Sequence, residues 1–105
     1  MPLTTDQFRE LALAFDDAVE SSHMSHPDFR AGGKIFASLP KPEESLAMVK
    51  LTSEQQTSFL KSDAAFAPCS GAWGKRGYTN IELTKAKKSL VKSAVEIAYE
   101  NVTAK

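Results

Sequence analysis

The sequence predicts an α+β domain: an antiparallel β-sheet with helices packed on one face, among them an N-terminal helix and a long C-terminal one. Three observations carry this. The chain opens and closes on helically spaced apolar residues, at Phe8, Leu11, Ala12 and Phe15 and again from Ala86 to Val102. Between those ends the strand signals cluster instead of alternating with helices, which argues against a parallel βαβ sheet. The 105 residues, 42% hydrophobic, suffice for one domain with its own core. No repeat, linker or low-complexity stretch divides them, so residues 1–105 are read as a single domain.

Each element has a local reason. Thr4 and Gln7 have the spacing of a capping box, and Leu3 and Phe8 that of a hydrophobic staple, so a helix starts there. AVESSHM, residues 18–24, alternates weakly and reads as a short strand. SHPD reads as a turn, because proline biases its predecessor away from helix. DFRAGGKIFASL holds two short runs around Gly32-Gly33, a pair suited to a tight hairpin. Phe29 and Ala31 should share one face of the first strand, and Ile35, Ala37 and Leu39 one face of the second. PKPEE reads as a loop. SLAMVKL reads as a central strand with little left for a wet face. Thr52 and Gln55 repeat the capping box before a helix that runs to about Leu60 and buries Phe59 and Leu60. FAPCSGAWGKRGYTNIEL lacks a helical period and reads as short extended pieces joined by turns. Thr84 is then expected to cap the final helix.

Composition narrows the function classes. The apolar runs are too short to span a membrane, and MPLTTDQFRE has neither a basic n-region nor an apolar h-region. The single cysteine, Cys69, suits a cytoplasmic location. Net charge is zero, but unevenly built. Residues 1–20 carry Asp6, Glu10, Asp16, Asp17 and Glu20 against Arg9. Residues 73–92 carry Lys75, Arg76, Lys85, Lys87, Lys88 and Lys92 against Glu82. A basic side of this kind attracts phosphate even at zero net charge.

Several stretches together resemble the MmcQ/YjbR family of small bacterial proteins. They are ESSH and HPDFR within Glu20–Arg30, GGKIFASL ending at Leu39, VKLT at Val49–Thr52, and GAWGKRGYT at Gly71–Thr79. In the last motif Tyr78 stands where the family commonly has Trp. The resemblance implies a frataxin (CyaY)-like fold and a "double wing" DNA-binding module of two β-hairpins flanked by helices. It implies no catalytic activity.

GAWGKRGYT concentrates the chemistry. On a functional reading, Lys75 and Arg76 form a turn facing an anion while Trp73 or Tyr78 stacks on a flat ligand. The simpler expectation buries Trp73 and Tyr78 as core anchors and leaves the cations as ordinary surface. GKRG matches the bare GxxG of KH domains, but an extended-looking segment precedes it, and a P-loop would need Ser or Thr where Arg76 follows the lysine. Lys85, Lys87 and Lys88 are expected in the first turns of the last helix, where the dipole disfavours cations and a bound phosphate would offset the cost. His23, His26 and Asp28 have metal-compatible types, yet local hydrogen bonding at a turn is the expectation; His23, His26 and Arg30 remain candidate surface residues. Asp16, Asp17 and Glu20 read as a solvated face, with a metal-binding ridge as the lesser option. Cys69 with His23 or His26 is a thin basis for catalysis.

The leading reading is therefore a non-enzymatic, cytoplasmic DNA-binding module with no cofactor. Lys75, Arg76, Lys85, Lys87, Lys88, Lys92 and, from a second hairpin, Lys34 would contact phosphates. The alternative is a domain that binds a small molecule or protein, with the sheet face or a hairpin edge near Trp73, Tyr78 and Arg76 holding the ligand.

Overall fold

The computed structural model describes residues 3–23 and 26–103. Thr4 Oγ1 accepts from Gln7 N at 3.1 Å and Gln7 Oε1 accepts from Thr4 N at 2.9 Å, closing the capping box before helix α1, Thr5–Ala12. The helix ends short of Phe15, which packs instead from the following turns. Its ring stacks on Tyr99 at 3.9 Å and meets Phe36 edge-on.

Strands β1 (Val19–His23), β2 (His26–Ala31), β3 (Lys34–Lys41) and β4 (Leu46–Lys50) follow as an antiparallel meander. A 3-10 turn at Pro42–Glu44 joins β3 to β4. The turn expected at SHPD does not extend over its last three residues. Pro27 and Asp28 already lie in β2, with His26 opposite His23, and Met24–Ser25 fall outside the described residues. Gly32 and Gly33 do form the two-residue hairpin turn, between Ala31 and its partner Lys34.

Helix α2 (Ser53–Ser62) starts at the second capping box. Then come β5 (Phe66–Pro68), a single helical turn α3 (Ala72–Lys75), β6 (Tyr78–Glu82) and helix α4 (Lys88–Thr103). The extended reading of the glycine-rich segment is thus wrong at residues 72–75. Six strands form one antiparallel sheet in the order β1-β2-β3-β4-β6-β5.

One face of the sheet carries the core. Phe29, Ala37, Val49 and Thr79 lie opposite one another across β2, β3, β4 and β6, all fully buried. Phe8 of α1 and Val91, Ala94, Val95 and Ala98 of α4 join the same cluster. Strand β3 breaks the simple alternation. Arg30 pairs with Ile35 while Phe29 pairs with Ala37, so β3 carries one extra residue. This β-bulge sends both Phe36 and Ala37 into the core and returns Ile35 to the other face, against the expected Ile35–Ala37–Leu39 set. A second irregularity between Ser38 and Lys41 accommodates Pro40, a residue that a regular central strand would not tolerate. Strand β4 is central as expected, but it keeps a half-open side at Leu46, Met48 and Lys50. Among the described residues, no helix is long and apolar enough to cross a membrane.

Candidate ligand site on the open sheet face

The face away from the core carries a straight row of residues: Ser21, Asp28, Ser38, Met48, Asn80 and Ala67, one from each strand in sheet order. Two cavities open along it. The larger, about 500 Å³, is bounded by Lys41, Leu46, Cys69, Ser70, Trp73, Tyr78 and Asn80. The smaller, about 230 Å³, is bounded by His26, Pro27, Asp28, Ile35 and Ser38. Pro40 and Met48 line both, so the two cavities adjoin at these residues, and they are treated together as two lobes of a groove across the strands.

GAWGKRGYT builds the wall of the aromatic lobe, and its glycines serve the backbone. A Cβ on Gly74 would lie 2.0 Å from the Cys69 carbonyl oxygen. Gly77 adopts φ +104°, and a Cβ there would lie 2.1 Å from the Leu51 carbonyl oxygen. Helix α2 ties the segment down. The buried Gln56 Nε2 donates toward Gly74 O (3.1 Å), Tyr78 O (3.0 Å) and Thr79 Oγ1 (3.2 Å), and Ser53 Oγ donates to Lys75 O at 2.9 Å. The backbone is held while the side chains of Trp73, Lys75 and Arg76 are left outside.

Trp73 is the consequence. The expectation of a core anchor is overturned: the residue is 56% exposed. Its ring lies 5.1 Å from Tyr78, the Arg76 guanidinium sits 5.6 Å from its centroid, and Lys50 Nζ lies 5.8 Å from the Tyr78 ring. Tyr78 is half-buried, and Lys75 is exposed.

In the other lobe, the Asp28 side chain is only 4% exposed. Arg30 engages both its oxygens, with Nε at 2.9 Å and Nη2 at 3.3 Å, and this pairing raises the Arg30 pKa. His26 stands exposed at the lobe's rim, and the side chain of His23 lies outside the described structure. Among the described residues no cluster of His, Cys, Asp and Glu could hold a metal. Of the acidic patch, Glu20 accepts from Arg9 at 2.9 Å and Asp17 accepts from the Tyr99 hydroxyl. Cys69 Sγ–H donates to Asn80 Oδ1 at 3.1 Å, and burial pushes its pKa up, so it stays a protonated thiol.

The sheet register separates the expected phosphate contacts. Lys34, Lys75 and Arg76 lie at the end of the sheet where Lys50 pairs with Tyr78. Lys85, Lys87 and Lys88 lie at the opposite end, beyond Glu82. Their expected helical placement also changes. Helix α4 begins at Lys88, so Thr84 and Lys85 sit in the preceding turn, where Lys85 pairs with Glu82 at 3.3 Å. The anion at this helix start belongs to the chain itself: Asp63 Oδ2 accepts from Lys87 N at 3.1 Å. Lys92 lies one turn farther along α4.

Sequence reasoning did not single out Ser38, Pro40, Met48 or Asn80. The usable signal was period-two alternation. Met48 falls between Ala47 and Val49, and Asn80 between Thr79 and Ile81, so both must face away from the core.

A six-stranded antiparallel sheet with its major helices on one side and a groove on the other defines an α+β domain with a free sheet face. The chain belongs to the YjbR family, whose profile matches residues 13–101. Two crystal structures share the fold. A Deinococcus radiodurans protein with a DUF419 domain is 16% identical, with a TM-score of 0.82 over 98% of this chain and 80% of that one. A Pseudomonas syringae structural-genomics target is 17% identical, with a TM-score of 0.75 over 94% of this chain and 98% of that one. No curated protein matches the chain.

Proposed function

We propose that the protein is a non-enzymatic binding module that takes a flat, anionic small molecule on its open sheet face. The exposure of Trp73 supports this reading above all. A small domain gains by burying its only tryptophan, yet here the indole stands over a groove with a guanidinium against its ring. The aromatic lobe has the size of a ligand pocket, a mostly apolar lining and a few polar groups, Asn80, Ser70 and Lys41. Cys69, held as a thiol, is no activated nucleophile.

The test is a titration with biphenyl carrying one para carboxylate, read by the fluorescence of the lone Trp73. Saturable quenching that weakens only modestly with salt is expected, with loss of affinity in Arg76→Ala. No saturable change in the native protein would overturn the reading.

A second reading, duplex DNA held by its phosphates, draws support from Lys34, Lys50, Lys75 and Arg76 gathering at one end of the sheet. It requires affinity for labelled duplex that falls steeply with salt and drops in Lys75→Ala/Arg76→Ala. Absence of binding at low salt would end it.

A further inference from the structure

The groove is longer than a single flat ring needs, and its two lobes differ in chemistry. Lys41 lines the aromatic lobe, and Lys50 and Arg76 lie against the Tyr78 and Trp73 rings that also line it. The other lobe ends on Asp28, whose carboxylate is almost fully withdrawn from water yet lines the cavity. Arg30 neutralises that carboxylate but occupies only one direction at each oxygen, and a carboxylate has about four acceptor sites. Directly across the strand pair stands Ser38, whose hydroxyl can donate. Neighbours in such a pair have Cβ atoms about 5 Å apart. Asp28 and Ser38 therefore present one acceptor and one donor side by side, with no net charge once Arg30 is counted.

That pair matches a primary carboxamide or a similar neutral donor–acceptor edge. An ammonium group would fit less well, because it would meet Arg30. From Asp28 to Asn80 the row crosses three strand spacings, roughly 14 Å at 4.7–4.9 Å each. Met48 and Pro40, which line both lobes, supply the apolar surface between the polar ends.

We propose that Asp28 and Ser38 are the specificity-determining end of the site, and that the ligand is an elongated planar anion with a carboxamide-like edge at its far end. This rests on the ligand reading above for its anionic half. The anion lies toward Arg76 beside Trp73, the flat body crosses Met48, and the amide edge gives N–H to Asp28 and takes O–H from Ser38.

Two biphenyl carboxylates of nearly equal shape test it, one bearing a para carboxamide at the far ring and one a para methyl. Trp73 fluorescence should show the carboxamide binding the native protein about tenfold or more tightly, the gain of a hydrogen bond to a charged acceptor. In Ser38→Ala, and in Asp28→Asn as the second variant, that preference should shrink to about twofold or less while the methyl compound still binds. Equal affinity of the two compounds for the native protein overturns this assignment and leaves the aromatic-lobe reading standing. Failure of both compounds to bind overturns both.

Discussion

The two faces of the sheet use the same strands for different purposes. On the core face, Phe29, Phe36, Ala37, Val49 and Ile81 are fully buried beneath α1 and α4. On the open face the neighbouring residues Asp28, Ser38, Met48 and Asn80 line a groove, with Trp73 standing over it. Residues one position apart in sequence thus serve folding and recognition separately. The difference teaches where mutations should be silent for stability. It also shows why an exposed tryptophan carries functional weight: burying it would have stabilised the fold by a couple of kcal/mol on area alone.

The largest expected effect lies on the core face. Phe36→Ala removes a fully buried ring and should cost about 3–5 kcal/mol in urea unfolding. A loss below about 1 kcal/mol would mean that the β-bulge does not commit Phe36 to the core. Gly77→Ala comes next, at about 2–4 kcal/mol. The new methyl would combine a strained positive φ with a clash against the Leu51 carbonyl, a backbone atom that cannot swing aside.

A smaller and pH-dependent effect belongs to Tyr99. Its hydroxyl donates to Asp17, and that bond, followed by partial desolvation and the nearby carboxylates, raises its pKa. The native pKa lies above the unfolded value of about 10. The associated stability is therefore fully present below about pH 10 and is lost as pH climbs through the raised native pKa. Unfolding midpoints between pH 8 and 11 should fall less steeply for Tyr99→Phe than for the native protein. An identical slope would show that the bond contributes nothing in solution.

The smallest effect on stability should come from Trp73→Ala, within about 0.5 kcal/mol, because the side chain is mostly exposed. The same substitution should abolish binding of the biphenyl carboxylate, measured by calorimetry since the fluorophore is gone. A destabilisation of several kcal/mol would instead return Trp73 to the structural role expected from the sequence.

What the sequence could reveal follows the range of the interactions involved. Both capping boxes and the Gly32-Gly33 hairpin were legible because their hydrogen bonds and backbone preferences are local. The bulge at Phe36-Ala37 was not, since it depends on how β3 aligns with β2. The start of α4 was misplaced because its anionic partner, Asp63, comes from the end of α2. Trp73 and Tyr78 were legible as candidates. Their exposure was not, because Gln56 and Ser53, whose reach to this segment no local pattern reveals, anchor α3 from a different helix. Lys75 and Arg76 emerged on the surface beside the groove. The lysines before α4 separated from them because strand β6 runs between the two groups.

The most direct test of the division between faces is a backbone amide NMR titration of the native protein with the biphenyl carboxylate. Shifts should concentrate at Ser38, Met48, Trp73, Tyr78 and Asn80, with α1 and the body of α4 unmoved. Shifts centred on Lys88 to Lys92, or spread over the helical side, would contradict it.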